Sequence, residues 1–394
     1  MNNQRVANVI LGSYLNGYSI IQELSENDIS EIIVVDVEKD VSAYSNKIVR
    51  FIKINNSSDS IFSTLRTISE SYDLLILYPN QDIYVEYLSK IYPKIKDYCF
   101  IAFNHNNAIE CQDKMVQYDF CNMLGIPCPS VMLLKNVKDL EKLYSFTFPI
   151  LLKPTKRDNL STNVFRTLMI QNSEDVSSNT QQLSNYFEKG VSFVASEIIP
   201  GTGSNIHAYT AYRSSEGKIL GEWTGKKLSQ FPNDYGVFSS ASNQSSSIVL
   251  EQGRKLLHGM NLFGINEPEF KYDYRDGKYK LMEINLRPMM WHRVGALSGV
   301  PLNYIQYLDA TNQKTPEYTQ NRSIIIHYVY HNHELINLFY RSNYYSIFKN
   351  NLWGGQQRVF ALWDKTDPLP FFRSFLSVIK RYMRLLKRKK DAVT

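Results

Sequence analysis

The densest set of side chains able to do chemistry lies between Glu269 and Arg287. Two runs rich in aromatic and aliphatic residues flank Asp276-Gly277, the pattern of a β-hairpin. Alternation along the second strand places Glu283, Asn285 and Arg287 on one face. Whether Glu269 joins them depends on the turn. A two-residue loop at Asp276-Gly277 would set Glu269 opposite Ile284 and turn Glu283 to the other side. A three-residue loop, Arg275 to Gly277, would set Glu269 opposite Glu283, with Gly277 as the left-handed bulge residue. One residue of slip separates the two outcomes.

Facing carboxylates repel unless a cation lies between them or one takes a proton. Carboxylates with an amide carbonyl are hard oxygen donors, suited to Mg²⁺ or Mn²⁺ rather than zinc. An arginine beside them suits phosphate or carboxylate oxygens. The plainer alternative is a surface hairpin with solvated charges.

The motifs Glu269-Phe270 and Glu283-Ile-Asn285-Leu-Arg287 resemble the metal hairpin of the ATP-grasp superfamily, ligases that join a carboxylate to an amine using ATP. Glu269-Phe-Lys-x-Asp273, Met282-Glu-Ile-Asn-x-Arg287 and Lys227-Leu-x-Gln230-x-Pro232 look more narrowly like the branch with D-aspartate ligase and many ligases of cell-surface polysaccharide pathways. The resemblance implies an α/β (α+β) ATP-grasp fold with an N-terminal Rossmann-like domain. It implies Glu269, Glu283 and Asn285 as ligands of Mg²⁺ (or Mn²⁺), and Arg287 and Lys227 near the reacting carboxylate and phosphates. Gln230 is a more speculative neighbour of the acceptor pocket.

Upstream elements must bring the remaining cations to this hairpin. Ala108 to Leu124 has helical periodicity and stops at Gly125-Ile-Pro127. Asp113-Lys114 on it matches the family's Asp-Lys pair, whose lysine reaches ATP phosphate. Phe148 to Pro154 is an apolar strand with a cation near its end, Lys153, which needs an anionic partner or a path to water. The family's second phosphate-binding lysine falls there. Many relatives continue into a glycine-rich phosphate loop. This chain has Thr155 to Thr162 without glycine, where Lys156, Arg157 or backbone amides could substitute. Val191 to Gly201 reads as a strand entering a turn. The resemblance makes Glu197, Ile198 and Ile199 the hinge at adenine and sets His207 near the ribose. Trp291 and His292 either close the substrate side or belong to the core.

Residues 5–36 read as strand, turn, helix and strand, with further buried strands at Asp73–Tyr78 and Tyr98–Phe103. Gly12 and Gly17 fall short of the full dinucleotide glycine pattern. The expected organisation is an α/β domain over 1–105 and an ATP-grasp domain over 106–312 with a lid at about 130–195. A C-terminal appendage over 313–394 completes it.

The 394 residues are 43% apolar, and four cysteines (Cys99, Cys111, Cys121, Cys128) match no metal spacing, as expected of a cytoplasmic globular protein. The net charge of +6 resides in eight basic residues between Arg373 and Lys390; the rest is slightly acidic, which argues against a nucleic-acid binder. Phe371 to Leu386 is amphipathic, fit either to dock on the protein or to lie on an anionic membrane surface, the inner face of the membrane for a cytoplasmic chain. The expected function is amide formation between small-molecule carboxylate and amine substrates, through an acyl phosphate. The alternatives are an ATP-grasp phosphotransferase and a catalytically degenerate ATP-binding protein.

Overall fold

The computed structural model of the chain describes residues 4–155, 164, 165, 167–232, 236–244 and 246–376. The expected phosphate-loop substitutes Lys156 and Arg157, and most of the basic tail, lie outside these residues.

Three sheets follow one another along the chain. The first is parallel, with β1 (Val6–Leu11), β2 (Ile32–Asp36), β3 (Arg50–Lys53), β4 (Leu74–Pro79) and β5 (Cys99–Ile101) in the order β3-β2-β1-β4-β5. Its central strands are apolar on both faces because helices cover both sides. The glycine turn after β1 is filled from within. Asn80 Nδ2 donates to the Gly12 carbonyl at 2.7 Å, and a Cβ on Gly12 would meet the Asn80 side chain.

The second sheet is antiparallel: β6 (Val131–Leu134), β7 (Ile150–Pro154), β8 (Leu168–Ile170) and β9 (Phe193–Glu197), in the order β6-β9-β7-β8. It has its own core, Leu134, Leu152, Ile170, Leu183 and Phe193 among others, beneath the helix Ser173–Glu188.

The third sheet is the largest. It contains β10 (Ile206–Arg213), β11 (Ile219–Phe231), β12 (Val237–Ser242), β13 (Gly264–Asp273), β14 (Lys278–Asn285), β15 (Ile326–Val329) and β16 (Gln357–Phe360). The order is β14-β13-β10-β11-β12-β15-β16. Residues beyond 312, set apart by sequence, therefore supply two of its strands. Buried Glu334 fixes that addition, accepting hydrogen bonds from Ser229, Ser239, Ser240, Tyr344 and Asn351. Further on, Asp364 pairs with Lys47 and buried Asp367 accepts from Ser45 and Asn46, tying the same stretch to the parallel sheet.

Each face of the large sheet is covered differently. Tyr209, Ala211, Phe270 and Leu281 pack with Val249 and Leu256 of helix Ser247–Gly259 and with Tyr118 and Cys121 of helix Lys114–Leu124. On the other face, Tyr212, Trp223 and Ile265 meet Trp291, Val294 and the N-terminal helix Leu15–Glu26. Trp223 and Trp291 contact edge to face at 5.3 Å, and only a glycine at 295 leaves room for the Trp223 ring.

The helix expected over 108–124 is two. A short turn, Ala108–Cys111, ends before Asp113, whose carboxylate caps Lys114–Leu124 by accepting from the Met115 N–H at 2.8 Å. Aspartate favours that capping position over a helix interior. Among the described residues no helix is long and apolar enough to cross a membrane. Residues 371–376 are helical, with Phe371 packed on the core and Phe372, Phe375 and Leu376 exposed.

Candidate active site

The hairpin β13–β14 reaches one of the two outcomes open in the sequence by neither expected route. Its loop has four residues, Tyr274 to Gly277, because Asp273 pairs with Lys278. Gly277 takes the left-handed conformation, φ +70°, and its N–H bonds to the Asp273 carbonyl. Buried Asp273 also holds Arg275 and Lys280, which keep its carboxyl well below the ordinary range. Such a loop alone would set Glu269 opposite Met282. A bulge at Met282 absorbs one residue, so Phe270 pairs with Leu281 but Glu269 pairs with Glu283 and Glu267 with Asn285. Leu281 and Glu283, two residues apart, thereby face opposite sides of the sheet.

The helix Lys114–Leu124 covers this edge strand. Gln117 donates to the Ile284 carbonyl and accepts from its N–H, as a neighbouring strand would. The Met282 carbonyl accepts from Tyr118 Oη at 2.8 Å and Lys114 Nζ at 3.5 Å. Lys114 Nζ also bonds Glu283 Oε2 at 2.8 Å.

Lys227, buried on β11, lies 2.7 Å from the Glu269 carboxylate and in the fields of Glu267 and Glu283. Lys153, at the end of β7, acts on Glu283 from the small sheet. Lys114 and the other lysines hold the Glu283 carboxyl down at about 2. Burial pushes Glu269 up to about 8, against the pull of Lys227 and with the push of Glu267 and Glu283. Burial raises Glu267 to about 7. Two buried carboxyls side by side favour sharing a proton or gaining a cation.

Glu267 is the residue the sequence reading missed. It is fully buried, two positions before Glu269 and so on the same face. Its oxygens accept from Asn285 Nδ2 at 3.2 Å and from the His292 ring. The Met289 N–H donates to His292 Nδ1, so the proton of the neutral imidazole resides on Nε2, aimed at Glu267. Burial holds the ring neutral by lowering its pKa to about 3. Trp291 and His292 are thus core residues, each 1% exposed.

Arg287 reaches across to the parallel-sheet domain, where Asp82 accepts from its Nε at 2.6 Å. No signal in the sequence joined residues 82 and 287. Glu197 uses its carboxylate on the Thr147 and Ser130 N–H groups, and the Ile198 N–H already bonds the Pro149 carbonyl. Of the backbone groups expected at adenine, that donor is engaged; Ile199 is buried at the end of the turn. His207 stands opposite Phe270 and Lys226, on the sheet face away from Glu269, with its ring against Tyr279. Burial and Lys226 lower its pKa to about 4. Gln230 spans its own loop, donating to the Gly236 carbonyl.

The structure therefore brings Lys114, Lys153, Lys227, Glu269, Glu283 and Asn285 together, adds Glu267 and sets His207 apart. The facing carboxylates with the Asn285 amide suit a hard divalent cation, and the crowded buried carboxyls would gain from one. Among the described residues no three His, Cys, Asp or Glu side chains are grouped to hold a metal by themselves. The candidate set is two carboxylates and an amide oxygen.

No protein-family model matches the chain. Its sequence is 24% identical over 312 residues to a D-aspartate ligase of Enterococcus faecium, covering 73% of this chain and 72% of the relative. The fold is similar to N5-carboxyaminoimidazole synthetase from Staphylococcus aureus, with TM-score 0.61, 14% identity and 82% and 81% of the two chains covered. It is also similar to L-amino acid ligase from Bacillus licheniformis, with TM-score 0.56, 10% identity and 80% and 76% covered.

Proposed function

We propose that the chain is an ATP-dependent ligase of carbon–nitrogen bonds of the ATP-grasp type, which activates a carboxylate as an acyl phosphate and passes the acyl group to an amine. One observation carries the reading: Lys114 and Lys227, from two different elements, pair with facing carboxylates across the β13–β14 hairpin.

A carboxylate is a poor electrophile. Attack of its oxygen on the γ-phosphorus of ATP forms the acyl phosphate and releases ADP; attack of the amine on the acyl carbon then expels phosphate. Lys114 and Lys153 bind phosphate oxygens, whose negative charge takes over from the Glu283 carboxylate that offsets these lysines in the free protein. Lys227 and Arg287 meet the reacting carboxylate, with Arg287 leaving Asp82 to do so. Glu269, Glu283 and the Asn285 carbonyl would hold Mg²⁺ or Mn²⁺, which when bound would supply charge neutralisation for the transferring phosphoryl group. Glu197, Ile198 and Ile199 border the adenine. His207, on the far face, is assigned no contact with the ribose in this reading. The small sheet, β6 to β9, serves as the lid over 130–195 that keeps water from the acyl phosphate. The parallel sheet over residues 1–105 supplies part of the acceptor site.

The sequence relative makes an amino acid a fitting substrate, and a sugar acid or cell-envelope precursor a fitting partner for it. The reading places the enzyme in the cytoplasm, with the basic tail meeting the inner face of the membrane; truncation after residue 370 tests that contact by loss of vesicle binding. The central test is ADP and phosphate release with Mg²⁺ across pools of amino acids and uronic acids. Turnover that requires both a carboxylate and an amine, and that vanishes in Glu283→Ala, supports the ligase. Phosphate transfer to a stable product without an amine would indicate a phosphotransferase, and tight ATP binding without turnover a degenerate site.

A further inference from the structure

We propose that Glu267, held by His292, is a positioning residue that turns the Asn285 amide so that its carbonyl oxygen is presented to the cation. The inference rests on the reading of Glu269, Glu283 and Asn285 as the cation's ligands.

An amide side chain can present either of two opposite atoms, and only the oxygen binds a hard cation. Rotation by half a turn about its last bond replaces that oxygen with an NH₂ group, which repels the cation. Something must choose between them. Glu267 lies directly opposite Asn285 in the β13–β14 ladder and is completely buried. Ionised, as a neighbouring cation favours, the Glu267 carboxylate presents acceptors alone, so it must face the Asn285 nitrogen, which lies 3.2 Å from Glu267 Oε1. The carbonyl oxygen is then turned away from Glu267.

Glu267 is itself held. Its second oxygen receives the His292 Nε2–H, and His292 cannot offer its other nitrogen because Nδ1 accepts the Met289 N–H. Edge-to-face contacts of Trp223 with Trp291 and with His292, and a tilted contact between Trp291 and His292, fix the ring plane. The chain of donors and acceptors thus runs from the Met289 backbone through His292 and Glu267 to Asn285 with one consistent sense. Outer partners of this kind orient metal ligands, and their loss typically lowers metal affinity by about 10- to 100-fold.

The donor–acceptor sense makes a sharp test. Glutamine at 267 has one acceptor and one donor. With its carbonyl toward His292, its NH₂ faces the Asn285 NH₂, and Asn285 must flip to avoid two opposed donors. Glu267→Gln should therefore lose about 10-fold or more in Mn²⁺ affinity, measured by electron paramagnetic resonance of free Mn²⁺ with a non-hydrolysable ATP analogue. Adding Asn285→Asp should restore binding to the level of Asn285→Asp alone, because an aspartate accepts from the introduced NH₂ and still offers an oxygen outward. A purely structural role for Glu267 would not be rescued by an oxygen at 285. If Glu267→Gln does not fold, Glu267→Met removes both acceptors without adding a donor, and the same rescue by Asn285→Asp is expected.

Wild-type Mn²⁺ affinity in Glu267→Gln, or a double variant no better than the single one, overturns the inference. Glu283→Ala separates the two levels. Lost binding there with unchanged binding in Glu267→Gln overturns the positioning role alone. Unchanged binding in Glu283→Ala overturns the ligand set and the positioning role with it.

Discussion

Two lysine–glutamate pairs flank the same hairpin at nearly the same distance, yet their carboxyls are driven in opposite directions. Lys114–Glu283 spans 2.8 Å with both side chains 42% exposed; Lys227–Glu269 spans 2.7 Å with side chains 9% and 4% exposed. The lysines depress Glu283 to about 2, whereas burial and Glu267 lift Glu269 to about 8. Distance to the partner does not decide the outcome. Desolvation and a third carboxyl do. One side of the hairpin is a formed ion pair open to exchange with phosphate oxygens; the other is a crowded acid pair short of positive charge.

The comparison breaks first on turnover. Glu269→Ala and Glu283→Ala should each reduce ATP-dependent ligation by about 1,000-fold, as loss of a group stabilising transition-state charge does. Retained activity in either would show that only one side of the hairpin serves the reaction. Stability should divide the pairs in the next rank. Lys227→Met leaves a buried carboxyl unpaired and should cost about 3 kcal/mol in urea unfolding, while Lys114→Met, at the exposed pair, should cost about 1 kcal/mol or less. Equal costs would mean that burial does not distinguish them.

The pH dependence sharpens the same contrast. Glu267 and Glu269 are raised in the folded state, so their contribution is full below the unfolded-state value and is lost as pH rises through about 7 to 8. Glu283 is depressed, so its contribution persists above the unfolded-state value and is lost as pH falls toward about 2. Metal-free protein should therefore melt lower at pH 8.5 than at pH 6. The slope is at most about 1.4 kcal/mol per pH unit for each proton, and Glu269→Gln should flatten it. Mn²⁺ with nucleotide should remove most of the fall. The smallest effect belongs to the tip. Gly277→Ala would make only ordinary contact with Tyr272 Oη, at 3.8 Å, but has a strained positive φ, so it should cost about 1 kcal/mol and leave Mn²⁺ affinity unchanged.

Much of this site was legible because its residues are close in sequence and alternate. Glu283 and Asn285 follow from period two alone, whereas the strand ends before Arg287, and their resemblance to a known hairpin supplied the partners Lys114 and Lys153. Glu267 was hidden by its neighbour. Pro268 lacks an N–H, a type of residue that argues against a central strand at that point. The structure carries β13 through that proline, with the β10 ladder skipping the positions beside it. The Arg287–Asp82 pair and the Glu334 cluster join residues 205 and 105 positions from one partner, for which a single sequence offers no local signal. The face occupied by His207 followed from strand register rather than from its type.

The extra residue at Met282 works as a frameshift suppressor. The tip is one residue longer than the carboxylates require, and the strand corrects its phase before Glu283 arrives. Removing Met282 would leave Glu269 opposite Glu283 in an unbroken ladder, so the chemistry's geometry does not depend on a particular tip length. What would be lost is the displaced carbonyl shared by Tyr118 and Lys114. An insertion that perturbs the tip can therefore be cancelled a few residues later, and length variation in this hairpin need not alter which face bears the acids.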